Sequence, residues 1–333
     1  MKPLKSTLAL VNMSLEQKPN NLRNRLADRS EMLAAVRCFF AEKNILEVDC
    51  PILSLAASVD THIDLIPATL SGKTAVYLHS SPEYGMKQLL SQGSGDIYQL
   101  SHVFRDEEIG PRHHPEFMMI EWYRLDFSFQ QMIDETAALC RLFVGELPCE
   151  FLSYREAFLR HLEIDPFHAS DNELLALVRK WNLDYRNIEN EGRDAWLNAL
   201  LGGKIETNLG KDSLTALVHY PASQAALAKT KIIDGANVAE RFEIYYQGIE
   251  LANGYHELSD ASEQERRFQE ANKDRLKLGK KMLPIDHAFL EALKKGLPDC
   301  CGVAVGFDRL MMLRSGKQNL DGAILLRNTL WQK

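Results

Sequence analysis

No run of apolar residues in this chain approaches the roughly 20 that a bilayer-spanning helix needs, so no membrane span is predicted. The opening MKPLKSTLALVNMSLEQKPNN holds one short apolar patch, Leu8 to Val11, and no small-residue cleavage site follows it. A secretory signal is therefore not expected, and the location expected is cytoplasmic. Cysteine is scarce: Cys38, Cys50, Cys140, Cys149, Cys300 and Cys301 form no CxxC pair. Adjacent Cys300 and Cys301 suit neither a disulfide nor a zinc site, which leaves buried, reduced thiols as the expected state. Positive charge is in deficit, with a net charge of −7 and no Lys/Arg stripe. A protein that grips a large nucleic acid normally shows the opposite balance. Internal repeats and low-complexity linkers are absent. So are GxGxxG after a strand and GxxxxGK[ST], which removes the Rossmann and P-loop readings; Gly93-Ser94-Gly95 reads only as a loop.

What is present is a chain of 333 residues, 45% hydrophobic and 26% charged, enough for a large core. Leu22, Leu26, Leu33, Val36 and Phe40 recur at helical spacing over residues 22–43, and Asn44 is a left-handed stop for that helix. An extended piece, 45–48, runs into Pro51. Strands are expected at 75–79, 97–104, 117–125, 214–220, 241–247, 249–252 and 302–305, with Gly248 at a tight turn. Helices are expected at 130–144, from Ser153 with Glu156 completing a capping box, at 171–180, 193–201, 260–278 and 307–313. Residues 1–21 read as an N-terminal extension, 22–333 as one catalytic domain, and about 150–210 as an α-rich insertion in it. Strands joined by loops, with helices in separate blocks, predict an α+β fold with an antiparallel sheet.

Two stretches carry chemistry. In the first, a strand runs out into Arg105 and Glu107, a polar loop carries Arg112, His113 and His114, and a second strand opens at Phe117. A period of two places Phe117, Met119, Glu121 and Tyr123 on one face. That set suits a ligand wall, with a basic loop beside it for phosphates; a solvated hairpin with a half-buried aromatic face fits the same residues. In the second, RFEIYYQGIELANGYHE (241–257), Glu243 and Glu250 sit on two arms of the Gly248 turn. Paired carboxylates beside a triphosphate are what Mg²⁺ sites use, and a solvated edge strand is the alternative.

FRDE (104–107), HHPEF (113–117) and EWY (121–123) resemble motif 2 of class II aminoacyl-tRNA synthetases, closest to the lysyl branch. CGVAVGFDRLMM (301–312) resembles motif 3, and residues 39–51 resemble the proline-ended motif 1 of the dimer interface. Three motifs in order are specific where any one alone is not. The resemblance implies the class II catalytic fold, use of ATP and Mg²⁺, and a homodimer. It implies that Arg105 holds the α-phosphate and Arg309 the γ-phosphate, both acting in catalysis. Phe117 would stack on adenine, with Asp106, Glu107 and nearby backbone at its edge. His113 and His114 would close over ATP; lysyl enzymes usually have Asn in place of His114. Glu243 and Glu250 would hold the metal, Leu251 and Asn253 would line the floor, and Gly306 would allow a close approach of the adenosine.

A desolvated ammonium needs an anion, and Glu257 and Tyr123, with Glu121 nearby, fall where the lysyl family grips the ε-ammonium. Ser81, Pro82 and Glu83 fall where it holds the other amino group. Nothing before residue 22 makes the five strands of an anticodon-reading OB barrel, so tRNA is not the expected acceptor. SPEYGMKQLL (81–90), GIELANGYHELSDA (248–261) and PDCCGVAVGFDR (298–309) resemble the elongation factor P–lysine ligases, truncated paralogues of lysyl-tRNA synthetases. That family joins a lysine-type amino acid, (R)-β-lysine by preference, to a lysine of elongation factor P. Lysyl-tRNA synthetases usually have glycine where this chain has Ala304, so the extra methyl is expected to favour the β-isomer. A minimal synthetase charging tRNA and an inactive amino-acid-sensing regulator are the competing expectations.

Overall fold

The computed structural model of the chain describes residues 21–56, 58–183 and 188–324. The expected N-terminal extension lies outside the described residues, apart from Asn21. From the N-terminus run α1 (Leu22–Glu42), β1 (Leu46–Glu47), β2 (Leu53–Ser54), β3 (Pro67–Leu70), β4 (Thr74–Leu78), α2 (Glu83–Leu90), β5 (Ile97–Phe104) and β6 (Glu116–Leu125). Next come α3 (Phe129–Val144), β7 (Cys149–Ser153), α4 (Tyr154–Leu162), α5 (Asp171–Lys180), α6 (Arg193–Leu200) and β8 (Leu214–Val218). The last third holds β9 (Thr230–Ile233), β10 (Ala236–Ala239), β11 (Arg241–Tyr246), β12 (Ile249–His256), α7 (Ala261–Lys277), α8 (His287–Gly296), β13 (Cys300–Gly306) and α9 (Phe307–Arg314).

Eight strands form the main sheet in the order β1-β5-β6-β13-β12-β11-β8-β7. The two outermost pairs, β1–β5 and β7–β8, are parallel; the pairs between them are antiparallel. This is the α+β arrangement expected. One face of the sheet packs Ile120, Trp122, Val303 and Val305 against α1, α3 and α9. The other face is left open in the middle. A second apolar cluster joins α4, α5 and α6 to Leu217, Tyr220 and Tyr245, and a third packs α2, α7 and α8 together.

Local signals do most of the boundary setting. The Asn21 side chain accepts from Asn24 N at 2.9 Å to start α1, and Asn44 stops it at φ 57°. Ser153 and Glu156 close a reciprocal capping box on α4. Gln247 and Gly248 both have positive φ, 51° and 68°, the turn that matches strand twist between β11 and β12. Three expectations need correction. Leu22 and Leu26 are exposed, because the buried stripe of α1 begins only at Met32. Helix α7 is not wholly surface: Gln264, Asn272 and Arg275 are buried, and Arg275 meets Asp64 at 2.7 Å. Of the cysteines, all free, Cys149 is only half-buried.

Candidate active site

The open face of the sheet is the floor of a cavity of about 350 Å³. Strand register lays its side chains out in rows. Glu121 of β6 stands beside Ala304 of β13, which stands beside Asn253 of β12 and then Glu243 of β11. The next row is Tyr123, Gly302, Tyr255 and Arg241. All eight line the cavity, as do Phe117 and Met119. The period-two face of β6 is therefore a ligand wall, and its opposite face carries the core residues Ile120 and Trp122. A register irregularity between Ile244 and Tyr245 pairs Tyr245 with Glu250 and leaves Leu251 over. Bulges re-aim side chains, and here Glu250, Leu251, Ala252 and Asn253 all reach the cavity.

Gly302 is required by this layout. A Cβ there would sit 2.3 Å from Tyr123 Cε1 and 2.4 Å from Glu257 Oε1. At Gly306, by contrast, a Cβ would meet only the Arg309 side chain, at 3.6 Å or more. The fold tolerates a side chain at 306, so a demand for glycine there would come from a ligand.

One end of the cavity is cationic. Arg105, Arg112, His113, His114 and Arg309 line it. The Arg105 guanidinium lies 5.2 Å over the Phe117 ring, and its Nη1 is 3.5 Å from Glu108. Arg309 Nη1 donates to the Glu250 carbonyl at 2.8 Å and lies 3.3 Å from its carboxylate; Nη2 donates to His113 Nε2 at 3.1 Å. A guanidinium has no acceptor, so that nitrogen of His113 is unprotonated. Burial, then the Arg309 charge, holds the His113 pKa below its usual value. Helix α9 is pinned beneath by Asp308, which takes Arg29 at 2.7 Å and Met118 N at 2.7 Å.

Beside it, three carboxylates gather. Glu243 is buried against Arg241 Nη2 at 2.5 Å and the Tyr245 hydroxyl; Tyr245 also donates to Glu206 at 3.2 Å. Burial, then the negative charges of Glu243 and Glu250, pushes Glu206 up to about 7. Burial also raises Glu243, against the pull of Arg241. Among the described residues no three His, Cys, Asp or Glu side chains stand close enough to hold a metal ion. Two hard carboxylates with surplus negative charge nonetheless fit Mg²⁺, which takes few protein ligands and completes its shell with phosphate oxygens.

The other end is anionic and dry. Glu121, 2% exposed, takes hydrogen bonds from Ser81 Oγ at 2.6 Å and Tyr123 OH at 2.8 Å. Burial, then Glu83, pushes it up to about 8. Glu257, also 2% exposed, lies just past β12 and is raised to about 7, mainly by burial. Glu83, on the first turn of α2, completes the set.

Most of the expected site residues thus meet in one cavity: Ser81, Glu83, Arg105, His113, His114, Phe117, Glu121, Tyr123, Glu243, Glu250, Leu251, Asn253, Glu257, Ala304, Gly306 and Arg309. Three do not. Asp106 and Glu107 point to solvent, with Glu107 at φ 60°, and it is Glu108 that turns inward. Pro82 caps α2 outside the cavity. Unforeseen are Lys87, which grips two lining carboxylates without lining the cavity itself, Glu206, which meets Tyr245, and the lining residues Arg241 and Gly302. The i,i+4 spacing of Glu83 and Lys87 was a signal for the first; the others depend on register and on residues brought from far along the chain. Arg105 Nε, His114 Nε2 and Asn253 Oδ1 are buried without a partner. Such atoms on a cavity wall mark places where a bound molecule would supply the hydrogen bond.

Known proteins resemble this chain in sequence along nearly its whole length. The family of class II tRNA synthetases (D, K and N) matches residues 6–329. The "Elongation factor P--(R)-beta-lysine ligase" of Avibacterium paragallinarum is 44% identical over 312 residues, covering 92% of this chain and 96% of that protein. Its namesake from Salmonella typhi is 44% identical over 306 residues, 90% of this chain and 93% of the relative. That from Hamiltonella defensa is 42% identical over 303 residues, with the same coverage, 90% and 93%. With its antiparallel floor, its cationic end and the match along nearly its whole length, the chain belongs to the class II tRNA synthetase (D, K and N) family.

Proposed function

We propose that the chain is an ATP-dependent, AMP-forming ligase that activates a diamino acid, (R)-β-lysine before lysine, and transfers it to a lysine side chain of elongation factor P. The observation that carries this reading is the polarity of one cavity, with guanidinium groups at one end and buried carboxylates at the other. A triphosphate suits the first, and a substrate bearing two ammonium groups suits the second. The names of the relatives agree with it.

In the first step the amino-acid carboxylate attacks the α-phosphorus of ATP and pyrophosphate leaves. A carboxylate is already ionised at neutral pH, so no general base is required. Arg105 and Arg309 offset the charge that develops on the phosphates, and the floor rows hold the amino acid in line. Mg²⁺, which Glu243 and Glu250 would hold, would add positive charge beside the phosphates. Phe117 offers a ring face to adenine, and Gly306 a bare floor. In the second step the amine of the acceptor lysine attacks the acyl carbon, AMP leaves, and an amide bond remains. Tyr123, Glu121 and Glu257 take one substrate ammonium, Ser81 and Glu83 the other. The methyl of Ala304, flanked by Glu121 and Asn253, favours the β-isomer.

The chain is taken to act in the cytoplasm; among the described residues no helix is long and apolar enough to cross a membrane. Exposed Leu46, Leu53 and Leu55, just beyond α1, support a homodimer through this edge. The net charge of −7 speaks against tRNA as acceptor. The deciding experiment is pyrophosphate release with (R)-β-lysine, L-lysine and other amino acids, offering elongation factor P or bulk tRNA as acceptor. Turnover with β-lysine and a mass gain on elongation factor P is the expected result. Label on tRNA would make the chain a minimal synthetase, and no activation of any amino acid would leave a sensor. In the same assay Ala304→Gly should lower the preference for the β-isomer; an unchanged ratio removes that role.

A further inference from the structure

Lys87 is fully buried beneath the anionic end of the cavity. A lysine stripped of water is costly unless its charge is met, and here it is met twice. Its Nζ donates to Glu83 Oε1 at 2.6 Å, one helical turn back on α2, and stands 2.6 Å from Glu257 Oε2, brought from the far side of the chain. The second contact is as short as the first. The rings of Tyr123 and Phe289 flank the ammonium at 6.0 Å each. The ionisable groups facing it are Glu83 on its own helix, Glu257 after β12, Tyr123 on β6 and Cys300 on β13, with Glu121 of β6 beyond them beside Glu83 and Glu257.

A buried lysine inside a core usually does no more than satisfy its neighbours. This one differs in what it grips. Both partners line the cavity, and Lys87 occupies only one oxygen of each. Glu257 keeps Oε1, which looks across the space that a side chain at Gly302 would fill. Three carboxylates close together in a dry site cannot all stay charged without help. With all three of Glu83, Glu121 and Glu257 ionised, as a bound diamino acid would require, one fixed ammonium leaves two negative charges, the number of ammonium groups on that substrate.

We infer that Lys87 is a positioning residue that sets the specificity of the amino-acid site: it fixes the rear oxygens of Glu83 and Glu257 and cancels one of three pocket charges, so that the site takes substrates with two ammonium groups. This rests on the reading of that end as a diamino-acid site. The burial that lowers a lysine pKa is here outweighed by Glu257 and then Glu83, so the ammonium keeps its charge throughout the physiological range.

The test is amino-acid-dependent pyrophosphate exchange at saturating ATP in the full chain, comparing (R)-β-lysine with 3-aminohexanoic acid, which lacks the terminal amine. In Lys87→Met the KM for β-lysine should rise about 30-fold or more, the scale of losing one member of a buried charge group. The KM for ATP should hardly move, and 3-aminohexanoic acid, which keeps only the amine assigned to Ser81 and Glu83, should lose less than β-lysine, so discrimination between the two amino acids narrows. Lys87→Arg should recover part of the loss, and Lys87→Gln serves if the methionine variant does not fold. An unchanged β-lysine KM overturns the inference, and so does a parallel loss for ATP and both amino acids, which would mark a purely structural lysine. Should the wild type activate no diamino acid, the functional reading falls by itself. Infrared spectra then decide for Lys87: the neutral variants should gain a protonated-carboxyl band over wild type, and its absence overturns the positioning role.

Discussion

The two ends of the cavity are built on opposite principles. At the cationic end Arg105 and Arg309 remain about a quarter exposed, 24% each at the side chain; Arg105 meets a carboxylate at 3.5 Å, and Arg309 the Glu250 carbonyl at 2.8 Å, its carboxylate at 3.3 Å and a loop histidine at 3.1 Å. At the amino-acid end Glu121 and Glu257 are 2% exposed, Lys87 is at 0%, and the hydrogen bonds and ion contacts run from 2.6 to 2.8 Å. A triphosphate brings its own charge and solvent, and partly exposed arginines on long stems can close onto it. A diamino acid must be told from neutral isosteres, and selectivity comes from polar groups that are left costly and unpaired when the wrong substrate binds. The same sheet floor thus serves adaptable charge at one side and preorganised charge at the other.

The sharpest way to break this comparison is to remove charge from the adaptable end. Arg309→Ala should lower pyrophosphate-exchange kcat/KM by about 1,000-fold, the loss typical of a preorganised charge facing the transition state. Its melting temperature should stay close to wild type because the side chain lines the cavity and is not packed in an apolar core. Activity within tenfold of wild type would mean that Arg309 does not face the reacting phosphates.

A smaller effect separates two glycines on one strand. Gly302→Ala forces a methyl against Tyr123 and Glu257, so the amino-acid KM should rise and stability should drop by about 1–3 kcal/mol, the usual cost of overpacking. Gly306→Ala meets only Arg309 at 3.6 Å, so the fold should accept it and only the KM for ATP should change. Equal effects of the two variants on both substrates would erase the division of the floor into two ends.

A last effect is on stability against pH. Glu121 has its folded-state pKa raised from 4.5 to about 8 by burial first. Between those values the folded protein holds a proton that the unfolded chain has lost, so stability falls as pH rises. Glu121→Gln, neutral at every pH, should therefore gain on the unliganded wild type between about pH 5 and pH 8 in thermal melts. A gap that stays constant or shrinks over that window would show that Glu121 titrates normally.

How much of this was legible beforehand depends on the range of the forces involved. The motif 2 face, Phe117, Met119, Glu121 and Tyr123, followed from a period of two and is a cavity wall. Capping at Ser153, the left-handed Asn44 and the Gly248 turn followed from neighbours within four residues. Helix α2, helix α8 and the β9–β10 hairpin went unread: the two helices are short and are held by packing in the third apolar cluster, on elements distant in the chain. The sequence did not show how Asp106 and Glu107 would lie: both side chains are exposed, Glu107 sits at φ 60°, and Glu108 lines the cavity.

By itself, then, the sequence determined the elements whose cause is local and the chemical inventory of the site: two arginines, a phenyl face, paired carboxylates, a glycine-rich strand. Tertiary structure alone decided which of them share a row, because the register of β6, β13, β12 and β11 and the bulge beside Glu250 are set by pairing between strands far apart in the chain. It also decided the charge state of the amino-acid end. Burial that no local pattern encodes raises Glu121 and Glu257, and it places Lys87, an unremarked residue on a short helix, between two carboxylates 174 positions apart (Glu83 and Glu257).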